Sequence, residues 1–155
     1  MGQGGEHGRL PLVMGMGYAR RMVTPARQAL VPLLWVFLAG GLGATLRVVL
    51  EGLVDVRWSE RLPYAGTLLV NVVGCFAMGL AAVAIPAGTM RTAVVGGLLG
   101  GFTTYSAFAL LSYELLRDER VGVLAVQIGL HLVLGVACVA GGMALGRVAF
   151  GAAGG

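Results

Sequence analysis

The sequence predicts an all-α membrane protein with four transmembrane helices, and two observations carry that prediction. Of its 155 residues, 57% are hydrophobic and 12% charged, with a mean hydropathy of +0.87. That balance leaves too little polar surface to cover a soluble globule of this length. Four apolar runs, over 30–50, 64–85, 92–116 and 121–146, each reach the roughly 20 residues that cross about 30 Å of hydrocarbon. They fill a membrane domain over 28–150 and leave a polar arm over 1–27 and a stub over 151–155, with no room for a soluble catalytic or sensory domain.

The arm carries Glu6, His7, Arg9, Arg20, Arg21 and Arg27 without a hydrophobic period, and is expected to be a disordered cytoplasmic extension. Met14, Met16 and Met22 are alternative starts. Residues 20–43 share the basic flank and apolar core of a signal peptide, but the apolar pattern continues through 44–50, as a retained span does. The first span has a small-residue face of Gly40, Gly41, Gly43 and Ala44 that ends in Arg47. This arginine either snorkels to the interface or forms an electropositive vestibule. In the second span Asn71 is the only strongly polar residue at depth, with Gly74 on the same face. Its amide serves either an interhelical hydrogen bond or a polar pathway.

The third span is the least ordinary. Gly96, Gly97, Gly100 and Gly101 permit close helix approach, and Phe102, Thr103, Thr104, Tyr105 and Ser106 follow directly. Glycine pairs abutting consecutive threonines predict a helix break at mid-membrane. Such a break survives only where its freed backbone groups are buried in protein or line a polar cavity, and unwound carbonyls there would make a cation site. Tyr105, Phe108 and Ser112 then recur at i, i+3 and i+7 on one face. Aromatic edges carry the positive part of the ring quadrupole, so this stripe can meet an anion without a full positive charge that would hold it too tightly. In the fourth span Gln127 and His131 sit one turn apart, and a lone histidine without a second ligand reads as a hydrogen-bonded packing residue. Cys75 and Cys138 fall inside apolar spans without a CxxC pattern and read as small packing residues.

The connections are short, which predicts an up-down-up-down bundle, and Trp35, Trp58 and Tyr64 near span ends read as interfacial anchors. All the basic residues are arginines. From Met22 onward, Arg27, Arg91 and Arg147 lie on one side of the membrane and Arg57, Arg61, Arg117 and Arg120 on the other, with Arg47 ambiguous. So weak a bias permits insertion both ways and hence an antiparallel dimer. The arginines never cluster on one element, which argues against nucleic-acid binding. Nor does any acid, base, nucleophile or metal cluster lie at depth, which argues against an enzyme.

Three segments in series, 40–47, 66–74 and 100–108, resemble the CrcB/Fluc fluoride channels. Those channels have a glycine- and alanine-rich run ending in arginine in the first helix, GTLxVNxxG in the second and GGxTTFSTF in the third. The resemblance spans about 34–146 and implies a passive exporter of fluoride in the bacterial inner membrane. It further implies an antiparallel dual-topology dimer in the lipid bilayer, with two fluoride pathways along the subunit interface and a structural Na⁺ at its centre. By position, the backbone carbonyls of Gly100 and Thr103 from both subunits would hold Na⁺. Asn71 would be the pore asparagine, Tyr105 and Phe108 the aromatic pair facing the ion, and Ser112 a hydroxyl continuing the polar track, with Thr104 and Arg47 also along the ion pathway. Tyr105 stands where the family usually has phenylalanine, and Gln127 and His131 where tyrosine and serine are usual. These departures and the arginine-rich arm leave two partners open, a second copy or a CrcB paralogue in an obligate heterodimer. A small multidrug-type exporter lacks its coupling carboxylate here, since Glu51 and Glu114 lie at span ends. A non-transporting membrane subunit would have no use for a polar break.

Overall fold

The computed structural model describes the backbone of residues 12–58 and 62–151, with side chains from Leu30 onward. The chain divides into a unit over Met1–Val31 and a unit over Pro32–Gly155. The expected arm over 1–27 belongs to the first unit; residues 1–11 lie outside the described residues, as do 152–155 of the stub, and helix α1 (Leu12–Trp58) begins at Leu12. The second unit holds the helix crossings and the polar site.

Among the described residues, four helical stretches are long and apolar enough to cross a membrane: Leu30–Trp58, Ala65–Ala84, Thr89–Arg117 and Val121–Phe150. They overlap the four apolar runs, the first and last extending past them to Trp58 and Phe150; a helix satisfies its own backbone in hydrocarbon. Helix α2 (Ala65–Ala84) ends at Ile85, which is extended at φ −109°, ψ 115° because Pro86 comes next and excludes the helical region for its predecessor. The chain then turns through Gly88 at φ 152°, a conformation that glycine adopts without a steric penalty.

The third span is four helical segments and a break. Helix α3 (Thr89–Arg91) continues into a π-helical stretch (Thr92–Leu99) and then α4 (Gly100–Phe102). Thr103 and Thr104 are extended, and α5 (Tyr105–Arg117) resumes the helix. The wider π turns fall on the glycine-rich part, next to the site, as such insertions commonly do. At the far end of α5, Arg120 N–H donates to Leu115 O at 2.8 Å and Glu119 N–H to Leu116 O at 3.1 Å. This double closure, with Glu119 left-handed at φ 57°, turns the chain sharply into α6 (Val121–Phe150).

Two close crossings hold the unit together. Where α6 crosses α2, a side-chain carbon on Gly142 would run into the Phe76 carbonyl and one on Gly79 into the Val139 carbonyl. Where the third span meets α1, a carbon on Gly97 would lie 2.9 Å from Val36 O, and one on Gly101 would strike Gly40 O. Backbone therefore packs on backbone at both crossings, the close approach that small residues give membrane helices. The remaining surface is strongly apolar, with Phe37, Val56, Leu132 and Val148 among its exposed side chains. Such a surface suits hydrocarbon or another apolar protein face.

Candidate functional site

The break at Thr103 and Thr104 falls where the sequence predicts it, after Gly100 and Gly101. The backbone leaves the helix at Thr103 (φ −82°, ψ 155°) and stays extended at Thr104 (φ −146°, ψ 116°). An extended residue at mid-membrane needs hydrogen-bond partners from outside its own helix. Asn71 supplies them. The Thr104 N–H donates to Asn71 Oδ1 at 2.8 Å, and Asn71 Nδ2 donates back to Thr104 O at 3.0 Å. One side-chain amide thus replaces both ladder bonds of one backbone residue, and Gly74, one turn along α2, leaves the space Thr103 Cγ2 occupies. The alternatives left open for Asn71 are settled in part: its amide is an interhelical clamp, and the residue also lines the adjoining cleft.

The second half of the helix starts from the break. Thr104 is the N-cap of α5, its Oγ1 accepting the Ala107 N–H at 3.1 Å and lying 3.3 Å from Ser106 Oγ. Two carbonyls consequently lose the donor four residues on. That donor would be the Thr104 N–H for Gly100 O, but it goes to Asn71; for Thr103 O it would be the Ala107 N–H, which goes to the threonine hydroxyl. These are the two carbonyls that the family resemblance assigns to a cation.

Arg47 reaches the break from α1. Its Nε donates to Gly101 O at 3.4 Å, and its Nη1 lies 3.7 Å from Glu51 Oε2, whose other oxygen accepts from Thr67 Oγ1 at 3.4 Å. A cation beside the carbonyl end of a half-helix is favoured by the helix dipole. Arg47 is thus held to the Gly101 carbonyl and beside Glu51, and is not among the cleft residues.

Beside the break lies a cleft of about 510 Å³, lined among others by Asn71, Cys75, Thr104, Tyr105, Phe108 and His131. Tyr105 and Phe108 are tilted at 44° with centroids 5.8 Å apart, and Phe108 packs on the His131 ring at 4.6 Å. Gly100, Tyr105 and Ser106 are exposed, Tyr105 to 79% of its area. The structure thus brings Asn71, Thr103, Thr104, Tyr105 and Phe108 to one place. Ser112 is not among the cleft residues: its hydroxyl donates to Phe108 O at 2.7 Å and accepts from Gln127 Nε2 at 3.2 Å. Gln127, fully buried, also donates to Phe108 O at 3.3 Å. His131 holds the hydrogen bond expected of it, with Nδ1 2.9 Å from Gln127 O, and in addition lines the cleft. Its one-turn spacing from Gln127 was the available signal, but nothing in the sequence says which helix faces the break. Among the described residues no group of three or more histidine, cysteine and carboxylate side chains is placed to hold a metal ion.

Fold and site together define a multi-pass membrane protein whose polar site at depth is built on an interrupted helix. The chain belongs to the CrcB family: the model described as "CrcB-like protein, Camphor Resistance (CrcB)" matches residues 34–143, which include every residue of the site. Among its relatives, the fluoride-specific ion channel FluC of Opitutus terrae is 44% identical over 96 residues, covering 57% of this chain and 72% of that protein. Those of Solidesulfovibrio magneticus and Acidobacterium capsulatum, with the same name, are 36% and 35% identical over 119 residues, 74% of this chain and 94% of each relative.

Proposed function

We propose that this chain is a subunit of a fluoride channel that lets cytoplasmic fluoride leave a bacterial cell passively across the plasma membrane. The observation that carries the reading is the clamped break: neutral hydrogen-bond donors and aromatic side chains are gathered beside it, with no arginine or carboxylate among the described residues that line the cleft. Fluoride holds its water strongly, so a selective pore must replace that water with many weak donors and still release the ion. Asn71 Nδ2 has a second N–H beyond the one it gives to Thr104, and the Tyr105 and Phe108 edges and the Tyr105 hydroxyl add to it. Flow is outward under a negative-inside potential, worth about 2.3 kcal/mol per charge per 100 mV.

One subunit leaves Gly100, Tyr105 and Ser106 uncovered, and a polar backbone break does not face lipid. A second subunit, a copy or a paralogue, covers them in an antiparallel dimer whose interface forms the pores. The same contact would bring Gly100 O and Thr103 O from both subunits together, where they would hold a structural Na⁺. When bound, that ion supplies fixed positive charge at the dimer centre; the chain's own part is to free the carbonyls by diverting two N–H groups to Asn71 and Thr104.

The test is fluoride release from liposomes holding the purified chain, alone or with a paralogous subunit, under a potassium gradient. Release that needs valinomycin and is not driven by a pH gradient is expected. Release no faster than from protein-free vesicles would remove the channel reading.

A further inference from the structure

We propose that Gln127 and His131, one turn apart on α6, are positioning residues that hold Phe108 in the cleft by both its backbone and its ring, and that fluoride passage through this chain depends on that hold; the inference rests on the channel reading above. At the backbone end, Gln127 Nε2 donates to Phe108 O at 3.3 Å and to Ser112 Oγ at 3.2 Å, and the Ser112 hydroxyl donates to the same carbonyl at 2.7 Å. At the ring end, the His131 imidazole packs on Phe108 with centroids 4.6 Å apart and planes tilted by 47°. The imidazole is itself fixed: its Nδ1 lies 2.9 Å from Gln127 O, and since a carbonyl only accepts, Nδ1 holds a proton and donates it. The contacts close on themselves, from the Gln127 amide through the backbone and ring of Phe108 to His131 and back to the Gln127 carbonyl.

Packing alone does not account for this pair. Gln127 is fully buried, and its Oε1 and His131 Nε2 are both buried without a hydrogen-bond partner among the described residues. A buried polar atom left unpaired destabilises the fold, and leucine or methionine would fill the same space without that cost. What these two side chains offer instead is a donor for Phe108 O and a flat ring of fixed orientation. Orientation matters because an aromatic ring meets an anion favourably only by its edge; turned, it presents its negative face. Tyr105 is 79% exposed, so of the aromatic pair Phe108 is the member whose place this chain fixes by itself. The hold needs no charge on the imidazole, and the cleft keeps its weak grip on an anion.

The experiment joins fluoride efflux from liposomes to fluorine NMR of the full chain in detergent, labelled with para-fluorophenylalanine at its phenylalanines; the Phe108 line is the one missing from Phe108→Ile. Gln127→Met fills the same volume without a donor. Its efflux is expected to fall about tenfold, with the Phe108 line shifted or broadened, the other lines unmoved and the size-exclusion profile unchanged. His131→Ala, which frees the ring and leaves the backbone bonds, is expected to move the same line and lower efflux by a smaller factor, and it carries the test if Gln127→Met does not assemble. Efflux at the wild-type level in either folded variant, or efflux lost while the Phe108 line stays in place, overturns the positioning role and leaves the channel standing. No efflux from the wild type overturns both.

Discussion

The α2–α6 crossing and the interrupted third span both depend on glycines, but for opposite reasons. At the crossing, Gly79 and Gly142 remove side chains so that two unbroken helices touch through their backbones, and among the described residues no side-chain hydrogen bond joins the two helices. In the third span, Gly97 and Gly101 do the same against α1, yet two residues later the helix stops and its backbone is handed to the side chains of Asn71 and Thr104. The difference lies in the residues next to the glycines. After Gly142 come Met143, Ala144 and Leu145, good helix formers; after Gly101 come Phe102 and two β-branched threonines whose hydroxyls compete for backbone partners. Small residues bring helices together, and only the polar residues beside them turn a contact into a site.

Substitutions that remove one role and leave the other break this comparison. The largest effect is expected for Asn71→Leu, which strands the Thr104 N–H and C=O at membrane depth. At about 1–3 kcal/mol for each unpaired group, the break should collapse or re-form as helix. Fluoride flux should fall to background, as read by an electrode on reconstituted vesicles. Gly142→Leu comes next, forcing a side chain into the Phe76 carbonyl at an overpacking cost of about 1–3 kcal/mol. It should lower the melting midpoint of the detergent-solubilised protein and reduce flux only in proportion to the folded fraction. If Gly142→Leu abolished flux in fully folded protein, the crossing would be part of the pathway and the comparison would fail. Phe108→Ile should eliminate flux with little change in stability or assembly, measured by size-exclusion chromatography; normal flux would make the aromatic pair mere packing. Smallest is Ser112→Ala, which removes a hydroxyl donating to Phe108 O. About 1 kcal/mol of stability and a modest loss of flux are expected, because Gln127 still donates to the same carbonyl.

How far the sequence showed the site differs from residue to residue. The spans follow from apolar length alone, and the break was legible in Gly100, Gly101, Thr103 and Thr104 because it is a local conflict between helix and hydroxyl. The clamp on it was only half legible. Asn71 stood out as the one amide at depth of its span, but its partner is a backbone group 33 positions away, fixed by the register of two helices and not by any spacing. Ser112 shares the stripe of Tyr105 and Phe108 by periodicity, yet periodicity fixes a face and not a hydroxyl torsion, and this hydroxyl turns back onto its own helix. Arg47 could be read as a span-end arginine; its bond to Gly101 O depends on the same α1 crossing. The π-helical stretch had no signal beyond its glycines, and the place of His131 on the cleft depends on which neighbour α6 meets.

The most direct measurement of the central claim is an experimental map of the assembled protein in a lipid nanodisc. The account predicts extended backbone at Thr103 and Thr104, clamped by Asn71 and covered by a second subunit, with Tyr105 and Phe108 facing a passage at the interface. A continuous third helix, or a break turned toward lipid with no subunit over it, would contradict it.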